Sequence, residues 1–229
     1  MNEQSFGSRS LLVVVAHADD EALGCGGTIA RHVVEGDAVC VVFMTDGVGS
    51  RGLDRSDELQ CRNQARDLAL RALGVTHWHA LDFPDNRMDS VPLLDVVQAL
   101  EPIIEQVQPT RVYTHHHGDL NVDHRITHQA VMTACRPLPG SSVREIMTFE
   151  VLSSTEWATP GVAPFVPNAF VDISNYLPKK LQALAAYDME MRPAPHSRSV
   201  SHVEALARHR GNCVGLEAAE GFELVRVVE

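Results

Sequence analysis

Leu11-Leu12-Val13-Val14-Val15 is a run of five aliphatic residues, and it ends at Ala16-His17-Ala18-Asp19-Asp20-Glu21. A run this short and this β-branched reads as a strand buried on both faces, as in the middle of a parallel sheet. Such a sheet needs helices on both sides, which restricts the fold to the α/β class. Ligands of open α/β sheets bind in the crevice at the carboxyl ends of the strands, so His17 and three acids are delivered to that crevice. Three adjacent carboxylates repel one another, and a divalent cation is the simplest group to offset that repulsion. The plain alternative is an acidic first helical turn, favoured by the helix dipole. It leaves His17, at the exit of the apolar run, without a reason to be there. Gly24-Cys25-Gly26-Gly27 reads as a Gly-rich turn, with a helix over residues 27–35. It matches neither a G-x-G-x-x-G nor a P-loop pattern, which disfavours a nucleotide-binding protein.

From there the chain alternates. Residues 38–45 read as a second strand, and residues 50–55 as a polar loop. A long amphipathic helix follows over 54–73, with Leu59, Ala65, Leu68, Ala69 and Ala72 as its apolar face and Gly74 as its C-cap. Arg62 and Arg66 on that helix read as surface charges. Residues 77–81 and 111–114 are strands, 91–107 and 125–135 helices. The β-α-β-α-β-α-β-α order predicts a Rossmann-like, doubly wound, mostly parallel sheet with helices on both faces. Beyond Pro137 the pattern changes to strands at 145–152 and 169–173, helices at 177–190 and 202–209, and a last strand at 222–228. This is expected to be a C-terminal α+β extension (about 138–229) on one domain whose core spans about 8–137.

Charge and cysteine usage narrow the partners. A formal net charge of −11 over 229 residues argues against nucleic acid or an anionic membrane surface. The five cysteines are odd in number, scattered and without a C-x-x-C, as expected of reduced thiols in a cytoplasmic protein. Met1-Asn2-Glu3-Gln4-Ser5 shows no basic leader, and no apolar run is long enough to span a bilayer.

A second cluster, His115-His116-His117-Gly118-Asp119-Leu120-Asn121-Val122-Asp123-His124, also follows a strand. Strand alternation lets only some of the three consecutive histidines face the crevice. Asp123-His124 opens a helix, where Asp123 is either a cap or an outer partner that orients a ligand histidine. One histidine and one aspartate from the first cluster, joined by a histidine from the second, make an open three-ligand site of the kind zinc enzymes use.

These residues carry a resemblance. Ala16-His17-Ala18-Asp19-Asp20-Glu21 resembles the A-H-P-D-D-E motif of the LmbE-like (PIG-L) zinc-dependent N-deacetylases, and the stretch ending Asp123-His124 resembles their second metal motif. The likeness continues through Thr45-Asp46-Gly47, Leu73-Gly74-Val75 and Phe83-Pro84-Asp85-Asn86. It implies removal of an acetyl group from an N-acetylated amino sugar or glycoconjugate. His17, Asp20 and His124 would then ligate one Zn2+ per chain, or another divalent ion such as Fe2+, and Asp19 would be the general base. Ala18 replaces the usual proline without removing a functional group. Asn121 stands where many members carry a histidine that helps hold the oxyanion; its amide can donate a hydrogen bond but cannot act as a charged acid. His196, in Pro195-His196-Ser197-Arg198-Ser199, is the candidate for the missing imidazole, and a surface histidine is its alternative. Arg51 and Asp85, in loops after the second and third strands, are candidate sugar contacts. The expected partner is therefore a small N-acetylated sugar compound, and a homo-oligomer is compatible with the chain. Two other readings stay open, an amidase acting on a thiol-sugar conjugate and a non-catalytic metal-binding module. Asp19 speaks against the second, because a metal holder needs no base.

Overall fold

The computed structural model describes residues 9–45, 47 and 56–229. Arg51 and the whole of the loop expected at 50–55 lie outside them. The buried run forms β1 (Ser10–Val15), which is followed by α1 (Asp20–Val34), β2 (Ala38–Thr45), α2 (Ser56–Leu73), β3 (His77–Phe83), α3 (Leu93–Val107), β4 (Arg111–His115) and α4 (Val122–Ala134). The extension supplies β5 (Glu145–Phe149), β6 (Ala169–Asp172), α5 (Leu177–Ala186), α6 (Val200–Asn212) and β7 (Ala219–Val227). All seven strands lie in one sheet, in the order β3-β2-β1-β4-β5-β7-β6. The five strands from β3 to β5 run parallel, and β7 is antiparallel to both β5 and β6. This is the doubly wound α/β arrangement that the alternation predicts.

The chain leaves β1 toward β2 and β3 on one side and winds from β4 to β5 on the other. The topological switch point therefore falls between β1 and β4, and a crevice opens at their carboxyl ends. Both clusters of histidines and acids follow these two strands. Alternate β1 residues feed two apolar layers. Leu11, Val13 and Val15 pack with α1, α2 and α5, whereas Leu12 and Val14 pack with α3 and α4.

Three local expectations are corrected. Helix α1 begins at Asp20, seven residues before the expected start, and carries the Gly-rich stretch inside it, with a break at Cys25 (φ −146°, ψ 25°). The glycines serve close packing: a Cβ on Gly24 would sit 2.3 Å from the Phe149 ring, and one on Gly27 would sit 2.8 Å from Ile173. The break also frees two backbone donors, the N–H groups of Gly27 and Thr28, which bond to Glu220 at 3.0 and 2.7 Å. Buried Lys180 balances that carboxylate. The inner face of α2 is also rotated from expectation. Leu68 is exposed, whereas Arg66 is buried beside Ala69, Leu70 and Leu73, with its guanidinium 3.9 Å from the Trp78 ring. Finally, α4 starts at Val122 rather than at Arg125, because Asn121 caps it by accepting the Asp123 N–H at 2.8 Å.

Candidate metal centre

His17 comes from the turn between β1 and α1, Asp20 opens α1, and His124 comes from the first turn of α4. All three are buried. His17 Nδ1 lies 3.2 Å from Asp20 Oδ2, His124 Nε2 lies 3.3 Å from that same oxygen, and the two nitrogens are 3.3 Å apart. Ligands about 2.0–2.1 Å from a tetrahedral zinc are separated by about 3.3–3.4 Å, so the triangle has the size of one coordination face. Asp20 Oδ1 is buried with no hydrogen-bond partner among the described residues. Two imidazole nitrogens and a carboxylate oxygen that converge, beside an orphaned carboxylate oxygen, fit a divalent cation.

The outer atoms of each histidine point the inner ones. His17 Nε2 faces Asp123 Oδ2 at 3.1 Å and Asp85 Oδ1 at 3.3 Å, which makes it the protonated nitrogen and leaves Nδ1 for a ligand role. Asp123 is thus the outer partner of a candidate ligand histidine, and the cap is Asn121. His124 Nδ1 lies 3.1 Å from Asp119 Oδ1, and Asp119 is anchored in turn by the Thr155 hydroxyl at 2.6 Å and by the Asn121 N–H at 2.8 Å. His115 belongs to the floor rather than to the candidate ligand set. Its ring stacks on His124 with centroids 3.9 Å apart, and its Nε2 accepts the Ala16 N–H at 2.9 Å. His116 turns away to Glu223 and the Ala163 carbonyl.

Charge in the centre is set by competition between burial and neighbours. Burial works against a proton on His17, but Asp123, Asp20 and Asp85 outweigh it and hold the ring well above the usual histidine range. For His124 burial is likewise overridden, by Asp20 and Asp119, and its pKa rises to about 9. Asp20 is kept well below the carboxylate range, because His124 and His115 outweigh the effect of its burial. Asp19 moves the other way: burial raises it, and Arg198 only partly counters the rise.

A small open cleft borders the centre at His17 and is lined by Asp19, Asp85, Asn121, Arg62 and Arg198 among others. The structure therefore brings together the three expected ligands, Asp19, Asn121 and Asp85. Asp85 also backs His17 from the side opposite the ligand triangle. His196 is not among the lining residues; its Nδ1 accepts the Arg198 N–H at 3.0 Å and its ring meets Trp157 edge-on. Two lining arginines escaped the sequence reading. Arg62 is half-buried and bonds to Glu190 at 3.0 Å and to the Ala18 carbonyl at 3.2 Å. Its spacing of four and eight residues from Arg66 and Leu70 was the available signal. Arg198 reaches Asp19 Oδ2 at 2.7 Å across 179 residues of sequence, and no local pattern announces that pairing.

Residues 12–135 match the PIG-L family, described as GlcNAc-PI de-N-acetylase. The chain belongs to the PIG-L (LmbE-like) family. The matched stretch carries most of β1 and all three residues of the candidate ligand triangle. Among its relatives is the uncharacterized deacetylase YaiS of Escherichia coli K12, 36% identical over 184 residues, spanning 77% of this chain and 89% of that protein. A probable N-acetyl-α-D-glucosaminyl L-malate deacetylase 2 of Bacillus cereus is 29% identical over 187 residues, 78% of this chain and 82% of its own. The crystal structure of the conserved protein TT1542 from Thermus thermophilus superposes with a TM-score of 0.74 at 30% identity, covering 96% of each chain.

Proposed function

We propose that this chain is a metal-dependent N-deacetylase that hydrolyses the acetamide of an N-acetylated amino sugar or glycoconjugate. The reading rests on one observation above all: a cation-sized triangle of His17, Asp20 and His124 beside an independent buried carboxylate, Asp19, at the floor of an open cleft. Relatives whose names specify deacetylation of N-acetylglucosaminyl compounds support the substrate class. Zinc is the favoured ion, with Fe2+ the alternative, since both accept imidazole and carboxylate ligands. Held by the triangle, the ion would supply Lewis acidity and an acidified water, the chemistry of an open three-ligand site.

The chain's own residues do the rest. Asp19 takes the proton of the attacking water as the C–O bond forms, and returns it to the amine nitrogen as the C–N bond breaks. Acetate and a free amine are the products. Burial raises the proton affinity of Asp19, which suits a group that must first accept a proton and then give it up. Asn121 lines the same cleft, and its amide offers a neutral donor to the developing oxyanion. Asp85 and Arg62, which line the same cleft, are assigned to sugar hydroxyls, and Arg51 is assigned to them from sequence alone. Incubating the metal-loaded protein with a panel of N-acetylglucosaminyl compounds, and reading free amine, tests the proposal. Release is expected from at least one member and should be lost in Asp19→Asn. Absence of amine from every member, with the metal bound, would overturn it.

A further inference from the structure

Asp19 is held from two sides. Its backbone sits at φ 132°, ψ −27°, a region that L-residues avoid unless the surroundings impose it. What imposes it is visible. The Asp19 N–H donates to Glu21 Oε2 at 3.1 Å, and Glu21 Oε1 accepts the Tyr187 hydroxyl at 2.7 Å. The Asp19 carbonyl accepts the N–H groups of Ala22 and Leu23 at 3.1 and 2.9 Å. On the other side, Arg198 Nη1 bonds to Asp19 Oδ2 at 2.7 Å, and Oδ1 has no hydrogen-bond partner among the described residues.

Arg198 is itself clamped. Its Nε donates to the Ser153 hydroxyl at 2.6 Å and to the Leu152 carbonyl at 3.3 Å. Its backbone N–H is tied to His196. One edge of the planar fork is therefore spent on the segment after β5, and the other presents Nη1 to the carboxylate. Terminal carboxylate torsions are broad and two-fold, so an unrestrained Asp19 would interchange its two oxygens. A general base has to hold one oxygen within hydrogen-bond reach of the proton it takes.

We propose that Arg198 is a positioning residue for the base: it occupies Oδ2 and leaves Oδ1 as the one oxygen that accepts the proton. The inference rests on the reading of Asp19 as the base. The guanidinium stays charged throughout, so it acts as a fixed partner and not as an acid. Lysine is a poor substitute, because a single ammonium cannot span Ser153 and Asp19 with fork geometry.

The test is a double-mutant cycle on metal-loaded protein, with kcat, KM, metal content and melting temperature read together. Arg198→Met is expected to lower kcat by about a hundredfold, the size of effect that a small misplacement of a reacting group produces, with KM and metal content little changed. Millimolar guanidinium should restore part of the lost rate, and Arg198→Lys should stay well below wild type. In an Asp19→Asn background the same Met substitution should cost less than about threefold more, because residues that act as a unit are not additive. An unchanged kcat in both Arg198→Met and Arg198→Lys, beside an inactive Asp19→Asn, would overturn the positioning role alone. A full hundredfold loss repeated in the Asp19→Asn background would also overturn it, by showing that the arginine acts on the substrate directly. An Asp19→Asn protein with its metal and near-wild-type turnover would overturn the base assignment and this inference with it.

Discussion

Asp123 Oδ2 meets His17 Nε2 at 3.1 Å while it also accepts the backbone N–H of Asn86 at 2.6 Å. The other carboxylate oxygen takes the Met88 N–H at 3.0 Å. Two backbone donors from the segment after β3 thus immobilise the carboxylate, and the carboxylate immobilises the ring. Outer partners of this kind set the tautomer and raise the basicity of a ligand histidine.

Replacing Asp123 by Asn would turn an amide NH2 toward one of those donors. Asp123→Asn is expected to weaken metal affinity by about 10–100-fold, as loss of an outer-shell partner usually does. Competition with a fluorescent chelator measures it. Unchanged affinity would show that His17 is oriented by Asp85 alone.

Metal uptake should release protons. His17 is held well above the usual histidine range by its carboxylates, and His124 is raised to about 9, so both shifts favour the protonated ring in the metal-free protein at neutral pH. Ligation requires neutral imidazole, so binding must expel those protons. Calorimetry at pH 7 in buffers of different ionisation enthalpy is expected to show about two protons released per ion, and fewer as pH rises through about 9. The same linkage acts on the metal-free fold. A raised His124 pKa contributes stability that is complete below the unfolded value of about 6.5 and is lost as pH rises through about 9. Zero proton release at pH 7 would contradict the assignment of these two ligands.

The glycines of α1 can be ranked. Alanine is the better helix former by about 1 kcal/mol, so propensity alone favours Gly→Ala throughout. Packing reverses this at Gly24 and Gly27, whose added Cβ would meet Phe149 at 2.3 Å and Ile173 at 2.8 Å, but not at Gly26, where the nearest atom is 3.5 Å away. Gly24→Ala and Gly27→Ala are expected to destabilise by about 1–3 kcal/mol, as overpacked cores do. Gly26→Ala should be neutral or stabilising. Denaturant melts of the three variants check the order, and a Gly26→Ala protein less stable than the other two would refute it.

Local pattern and local spacing made the first half of the chain readable. The apolar run of β1, the abrupt stop at His17 and the matching stop at His115 place two clusters at one sheet edge before any distance is known. That placement predicts a histidine and an aspartate from the first cluster joined by a histidine from the second, and the family resemblance picks out His17, Asp20 and His124 among them. What stayed hidden depends on contacts between distant segments. The Gly24–Gly27 stretch reads as a turn because its reason for glycine is Phe149 and Ile173, more than 120 residues away in sequence. The same holds for Glu220, which caps the broken helix from β7. In the segment 195–199, residue chemistry favours the imidazole of His196. The chain instead uses that ring to support the turn and sends the neighbouring guanidinium of Arg198 into the cleft.

Asn121 has two tasks that substitution can separate. Its Oδ1 caps α4 through the Asp123 N–H at 2.8 Å, and its Nδ2 donates to Asn86 Oδ1 at 3.2 Å. An amide nitrogen carries two hydrogens, so one donor remains for the cleft that the residue lines. Serine caps a helix about as well as asparagine but has no NH2 group. Asn121→Ser should therefore keep the wild-type melting temperature to within about 0.5 kcal/mol of stability, while Asn121→Ala should lose about 1 kcal/mol with the cap. If the amide serves the oxyanion, both variants should show kcat reduced by about a hundredfold with KM nearly unchanged, the pattern of a contact made only in the transition state. A Ser variant with wild-type kcat, beside an Ala variant that is merely less stable, would confine Asn121 to the helix cap. The oxyanion would then have to be held by another group lining the cleft.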